Sequence, residues 1–346
     1  MAVNKFGPLA DGRLSPEIGQ YYYMVDSNFR TGAQGWSRAD GTGPLDLWQA
    51  REPGGDTRVY YTPETGNQGT TYASQVASFN AARDAMIDFR GDTLFITPGA
   101  YTIGAASTWD VPYATIRGAE CRASSRFGCS PRVRNTSITM GVAGGWTCGA
   151  SADGLEVAYL RFVPTTATAC VLVNAAADGM HWHDFLWDAE GVATSASTEM
   201  FNFTTAVSKY LQVSNFTWMV DAPQGPVFNV DIGAQFWEIS HFLNICALTV
   251  GTYVTSLIDY SADGIDGVLL HDGRGFISVA GAGAVTQLLN GAAQTGTSVI
   301  SVMDFYGGVG YSTATGLIAG TAGDADLSRC FISTTEGGTG ETLYTS

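Results

Sequence analysis

"ADGLEVAYLRFVP" (residues 152–164) and "ADGMHWHDFLWDA" (residues 177–189) carry one pattern twice in succession. In each, an Ala-Asp-Gly turn leads into three apolar residues spaced apolar, any, apolar, any, any, apolar: Leu155, Val157, Leu160, then Met180, Trp182, Phe185. The template returns in Leu211, Val213, Phe216; in Trp237, Ile239, Phe242; and in Ile300, Val302, Phe305. "GIDGVLLH" (264–271) fits less well, because Gly267 falls on the second apolar position. Near the end, Leu327 and Ile332 fit with Arg329 between them.

Alternation sends the first two apolar side chains to one face of a strand. The doubled spacer is a corner turned without a loop, and the third apolar residue then points into the same interior from the next strand. A chain that does this at intervals of roughly 25–35 residues winds into a solenoid, within the range expected of repeat architectures. Rungs stack at about 4.8 Å, so eight to ten make a column about 40–50 Å long. The three "ADG" turns, before Leu155, Met180 and Ile265, are expected to be the same corner revisited.

Composition agrees. Of 346 residues, 45% are hydrophobic, which supports a buried core, while only 14% are charged and 43 are Gly. Such chains favour many short strands and tight turns. The net charge is −15 and the lysines are Lys5 and Lys209 alone, which argues against a nucleic-acid partner needing a basic face. No apolar run approaches a membrane span, and the beginning of the chain reads as lacking a secretory signal. Cys121, Cys129, Cys148, Cys170, Cys246 and Cys330 lack CxxC spacing. They read as buried thiols, with Cys121 and Cys129 able to bridge in an oxidising medium.

Four segments follow. Residues 1–72 lack sustained periodicity but are rich in aromatics, which suggests an extended arm burying Tyr21, Tyr22, Tyr23, Phe29, Trp36, Trp48, Tyr60 and Tyr61 against a partner. Residues 73–90 show a helical stripe of Phe79, Ala82, Met86 and Phe89 with Ser74 as N-cap. Period-2 strands occupy 91–337, and 338–346 form a tail.

"SQVASFNAARDAMIDFRGDTLFITPGAYTI" (74–103) resembles the start of right-handed parallel β-helix proteins of the pectate-lyase-like superfamily: a capping helix, a Gly-Asp-Thr strand, then a Pro-Gly turn into a Tyr-Thr-Ile strand. The resemblance covers about residues 74–337. It implies an all-β, single-stranded right-handed parallel β-helix with an N-terminal extended arm and one short capping α-helix. Phage tailspikes and other virion surface proteins also use this fold, and by resemblance to them a homotrimer is expected.

The superfamily's hydrolases work with paired carboxyls about 5–10 Å apart. Asp153, Asp178 and Asp263 read instead as turn residues bonding their own backbone. Candidates for catalysis are Asp184, Asp188, Asp272 and Arg274. Asp184 and Asp188 lie in the polar cluster "MHWHDFLWDAEG", and Asp272 and Arg274 in "HDGRG", where a local Asp–Arg pair is the plainer reading. His181 and His183, outward at i and i+2, form the one candidate metal pair, with no second ligand set evident elsewhere. Trp146, Trp182, Trp187, Trp218 and Trp237 are assigned to the core. No cofactor is expected. The missing catalytic constellation, the acidic surface and the aromatic arm favour a non-enzymatic structural virion protein, assembled in the host cytoplasm. Specifically, a capsid decoration or cement protein of a tailed phage is expected, gripping the major capsid protein. The alternatives are a tailspike-like polysaccharide depolymerase, hydrolase or lyase, or a non-catalytic carbohydrate-binding receptor protein.

Overall fold

The computed structural model describes residues 37–38, 48–51, 58–61, 83–84, 86, 88–89, 91–96, 99–103, 107–118, 136–140, 145–164, 171–173, 177–189, 199–203, 207–220, 225–248, 252–260, 265–279, 284–291, 299–307, 318–319, 325–333 and 341–344. From residue 93 to residue 333 every strand pairing among them is parallel, and the chain passes in turn through three stacks of strands, called sheets below, the first two continuous in one 22-stranded sheet and the third an 8-stranded sheet. This is a parallel β-helix.

The first sheet stacks Thr93–Ile96, Thr115–Gly118, Glu156–Ala158, His181–His183, the starts of Gln212–Val220 and Glu238–Leu248, then Ile265–His271, Val299–Met303 and Ala325–Ser328. Its register sets Leu94, Ile116, Val157, Trp182, Val213, Ile239, Leu270 and Val302 one above another. All eight are inaccessible to solvent. The expected interior column is therefore present. Nine rungs span about 38 Å at the usual strand spacing.

The second sheet runs from Gly99–Ile103 through Thr136–Met140, Arg161–Pro164 and Leu186–Ala189 to Cys330–Ser333. It aligns Tyr101, Ile138, Phe162, Trp187 and Trp218. The third runs from Ser107–Trp109 through Trp146–Cys148, Val171–Val173, Phe201–Phe203 and Phe228–Val230 to Ile318–Ala319. All five tryptophans assigned to the core are buried. Inside, like stacks on like: Phe185 on Phe216 at 5.2 Å, Phe201 on Phe228 at 5.1 Å, and Trp109 on Trp146 at 5.4 Å between ring centroids. A repeating template places aromatics of successive rungs over one another, where offset stacking adds to area burial.

Two rungs correct the sequence register. At the weak repeat, Gly267 is an extra residue with φ +67°, and the pairing shifts between Asp266 and Val268. The inward residues are Val268 and Leu270, facing Ile300 and Val302, and the third slot is Gly273. In the last rung, Ala325 and Leu327 pair with Ile300 and Val302. Arg329 turns the corner and buried Cys330 takes the third slot, ahead of Ile332. One inserted residue reverses the faces of a strand, and apolar matching alone could not reveal it.

Antiparallel strands stand at both ends of the column. Ser37–Arg38, Trp48–Arg51 and Arg58–Tyr61 form an antiparallel meander whose last strand pairs parallel with Thr93–Ile96. Within the segment expected to be an extended arm, Arg58–Tyr61 thus covers the open edge of the first rung. Glu341–Tyr344 folds back antiparallel on Cys330–Ser333 and covers the last. Covered edges block templated association. Of the expected capping helix, Arg83–Asp84 are helical and Met86 is buried, but Phe89 has φ +60° and is 73% exposed. The apolar stripe does not extend to it. Phe79 and Ala82 lie outside the described residues, and among the described residues no helix is long and apolar enough to cross a membrane.

Candidate functional site: a histidine edge

After seven of the nine first-sheet strands the corner is a single residue in the left-handed region: Tyr159, Asp184, Asn215, His241, Asp272, Asp304 and Arg329, with φ between +51° and +58°. One such residue redirects the strand without a loop, and Asn, Asp and His tolerate the conformation better than most. These corners form a polar edge beside the outward faces of the first sheet. All four histidines of the chain stand on it: His181, His183 and His271 at outward positions, and His241 at a corner.

The edge carries one arrangement twice. In the first copy, His183 donates from Nδ1 to Asp184 at 2.7 Å and from Nε2 to Glu156 of the preceding rung at 3.0 Å. The ring of Tyr159 stands edge-on at 5.7 Å and 80°. In the second, His271 donates from Nδ1 to Asp272 at 2.8 Å and from Nε2 to Glu238 at 3.1 Å. Here the edge-on ring is His241, at 5.7 Å and 76°. The copies lie three rungs apart (Trp182, Val213, Ile239, Leu270), or about 14 Å.

The electrostatics follow from two carboxylates around each imidazole. Hydrogen bonds to Asp184 and Glu156 outweigh burial and raise His183 to about 9, so it is a cation at neutral pH. The His183 hydrogen bond in turn lowers Glu156. Burial opposes ionisation of His271, but hydrogen bonds to Asp272 and Glu238 prevail and raise it, while the bond from His271 lowers Asp272. His181 stacks on His183 at 4.3 Å, and burial, with the neighbouring cation, lowers it.

Of the two histidines named from the sequence, His183 has its nitrogens on Asp184 and Glu156, and His181 stacks on its ring. A further group with ligand chemistry lies on the same edge. His241, His271 and Asp272 present ligand atoms within 4.8 Å of one another, the one such group among the described residues.

The other candidates are dispersed. Asp188 lies on the second sheet, 4% exposed, and accepts from Arg161 through Nε at 2.9 Å and through Nη2. It is no exposed groove carboxylate. Arg274 begins a second-sheet strand in register with Leu243 and Tyr306. Asp272 accepts from His271. Asp153 accepts from the backbone of Asp178 at 2.8 Å, and Asp178 from that of Lys209 at 2.9 Å. Each caps the next rung rather than its own turn. Asp263, with the third "ADG", lies outside the described residues, and Ile265-Asp266-Gly267 holds that corner. Tyr21, Tyr22, Tyr23, Phe29 and Trp36 also lie outside them, whereas Trp48, Tyr60 and Tyr61 are in the strands of the end meander.

A second edge went unnoticed in the sequence. At six rungs the corner on the other side of the first sheet is also left-handed: Tyr113, Gly154, Gly179, Tyr210, Phe236 and Gly267. The Tyr113 ring covers Gly154 and the Phe236 ring covers Gly267, where any Cβ would collide with it. Phe89 packs on Tyr113 at 5.7 Å, and Tyr210 stacks on Phe236 at 5.4 Å, all four rings exposed. The available signal was an aromatic standing where other rungs have the Gly of "ADG".

No protein-family model matches the chain, and no curated protein matches it in sequence. Among solved structures it is similar to a pectin methylesterase from Aspergillus niger: 10% identity over 72% of this chain and 78% of that one, TM-score 0.40. It is similar to the rice weevil pectin methyl esterase at 12% identity over 92% and 88%, TM-score 0.38. It is also similar to ORF18 of Geobacillus virus E2, at 9% identity over 79% of this chain and 61% of that one, TM-score 0.33. These are likenesses of fold. The functional argument rests on this chain's own residues.

Proposed function

We propose that the chain is a non-enzymatic structural protein of a virus particle, a decoration protein that sits on the capsid of a tailed phage. The supporting observation is how the column uses its carboxylates. Asp153 and Asp178 cap the backbones of following rungs, Asp188 is buried against Arg161, Asp304 pairs with Arg329, and Glu156 with Asp184 clamps His183. Each contact ties side chain to neighbouring rung or corner and stiffens the column. Glycosidic hydrolysis instead needs two carboxyls flanking one bond with room for a sugar.

Immunogold labelling of purified particles tests this. Regular labelling of the capsid shell is expected; a chain found only outside particles overturns the reading. A second reading, a non-catalytic saccharide-binding protein, is favoured by the exposed Phe89–Tyr113 and Tyr210–Phe236 pairs, since flat exposed rings stack on sugar faces. Binding to a glycan panel without release of reducing sugar supports it, and reducing-sugar release points to a depolymerase.

A further inference from the structure

We infer that His241, His271 and Asp272 form a binding site for a divalent first-row transition ion such as zinc. His241 Nε2 lies 3.7 Å from Asp272 Oδ2, and His271 Nδ1 lies 2.8 Å from the same oxygen. Bonds of about 2.0–2.2 Å require the three ligand atoms to draw around one point. His241 and Asp272, 56% and 47% exposed, have the freedom to do so. Two imidazoles with one carboxylate suit zinc, nickel or copper and not the oxygen-seeking magnesium or calcium. The ion takes the place of the proton between His271 Nδ1 and Asp272. Glu238 then holds the other nitrogen of His271 at 3.1 Å, the outer carboxylate that commonly orients a metal-bound histidine. Three protein ligands leave a fourth position open to water or to a side chain from another molecule.

The first copy supplies an internal control. It has the same Glu, His and Asp at nearly the same distances, but Tyr159 stands where the second has His241. A neutral phenol in that place does not complete a ligand set, and the corner conformations match: Tyr159 has φ +58° and His241 φ +51°. The exchange is therefore tolerated by the backbone in both directions.

Isothermal titration of the full chain with zinc chloride, in a reducing, chelator-free buffer, tests the site. One equivalent more is expected for wild type than for His241→Tyr, with equal melting temperatures before zinc. His181→Ala is expected to leave uptake unchanged, and Tyr159→His to add a second equivalent. Wild type taking up no zinc, or His241→Tyr taking up as much as wild type, overturns the assignment. Uptake unchanged by Tyr159→His overturns the role given to the corner imidazole, and uptake lost in His181→Ala would move the site to the first copy.

Discussion

The ring of Phe242 occupies the interior slot that Gly273 of the next rung leaves empty. It leans far enough to approach Phe305 of the rung beyond, at 6.1 Å between centroids. At Gly273 one aromatic serves two rungs.

Gly273→Ala therefore sets a Cβ against the Phe242 ring. Overpacking of this kind costs about 1–3 kcal/mol. A lower urea midpoint is expected, with much of the loss recovered in Gly273→Ala/Phe242→Leu. An unchanged midpoint in the single variant contradicts the packing described.

Trp182 and His183 are neighbours on opposite faces. Trp182→Ala empties a fully buried site and is expected to cost about 3–5 kcal/mol. His183→Ala removes a half-buried cation but no core volume, and a smaller loss of about 1.5–3 kcal/mol is expected from hydrogen bonds to charged partners. Equal losses in the two variants would place the register one residue out.

His183 also gives a pH dependence. Its ordinary value is 6.5 and the folded value is about 9. A raised folded value means that its stabilisation is complete below about pH 6.5 and is lost as pH rises through about 9. Chemical denaturation across pH 6–10 should show wild type losing stability over that window relative to His183→Gln. A parallel pair of curves would show that His183 titrates normally.

Burial pushes the Cys148 thiol up to about 12. The thiolate is the reactive form, so iodoacetamide at pH 8 is expected to spare Cys148 in the folded protein and to label it in denaturant. Mass spectrometry of the Cys148 peptide decides; fast labelling of the native chain contradicts the buried placement.

Much of the histidine edge was legible in hindsight. "EVAY" followed one rung later by "HD", and "EISH" followed by "HD", are the two copies written out. What hid them was that Glu156 and His183 are separated by 27 residues and are joined only through the rung spacing. Proximity in sequence groups His181 with His183 but leaves out Glu156, Glu238 and His241, which join only across rungs.

Local alternation by itself determined that side chains such as Val157, Trp182, Val213 and Ile239 face one interior, because a strand has two faces and water excludes apolar groups from one of them. Which outward residues meet was decided only by the tertiary coil. Variable connections between rungs set the register, and register brings Glu238, His241, His271 and Asp272 together from places in the chain that no local pattern connects.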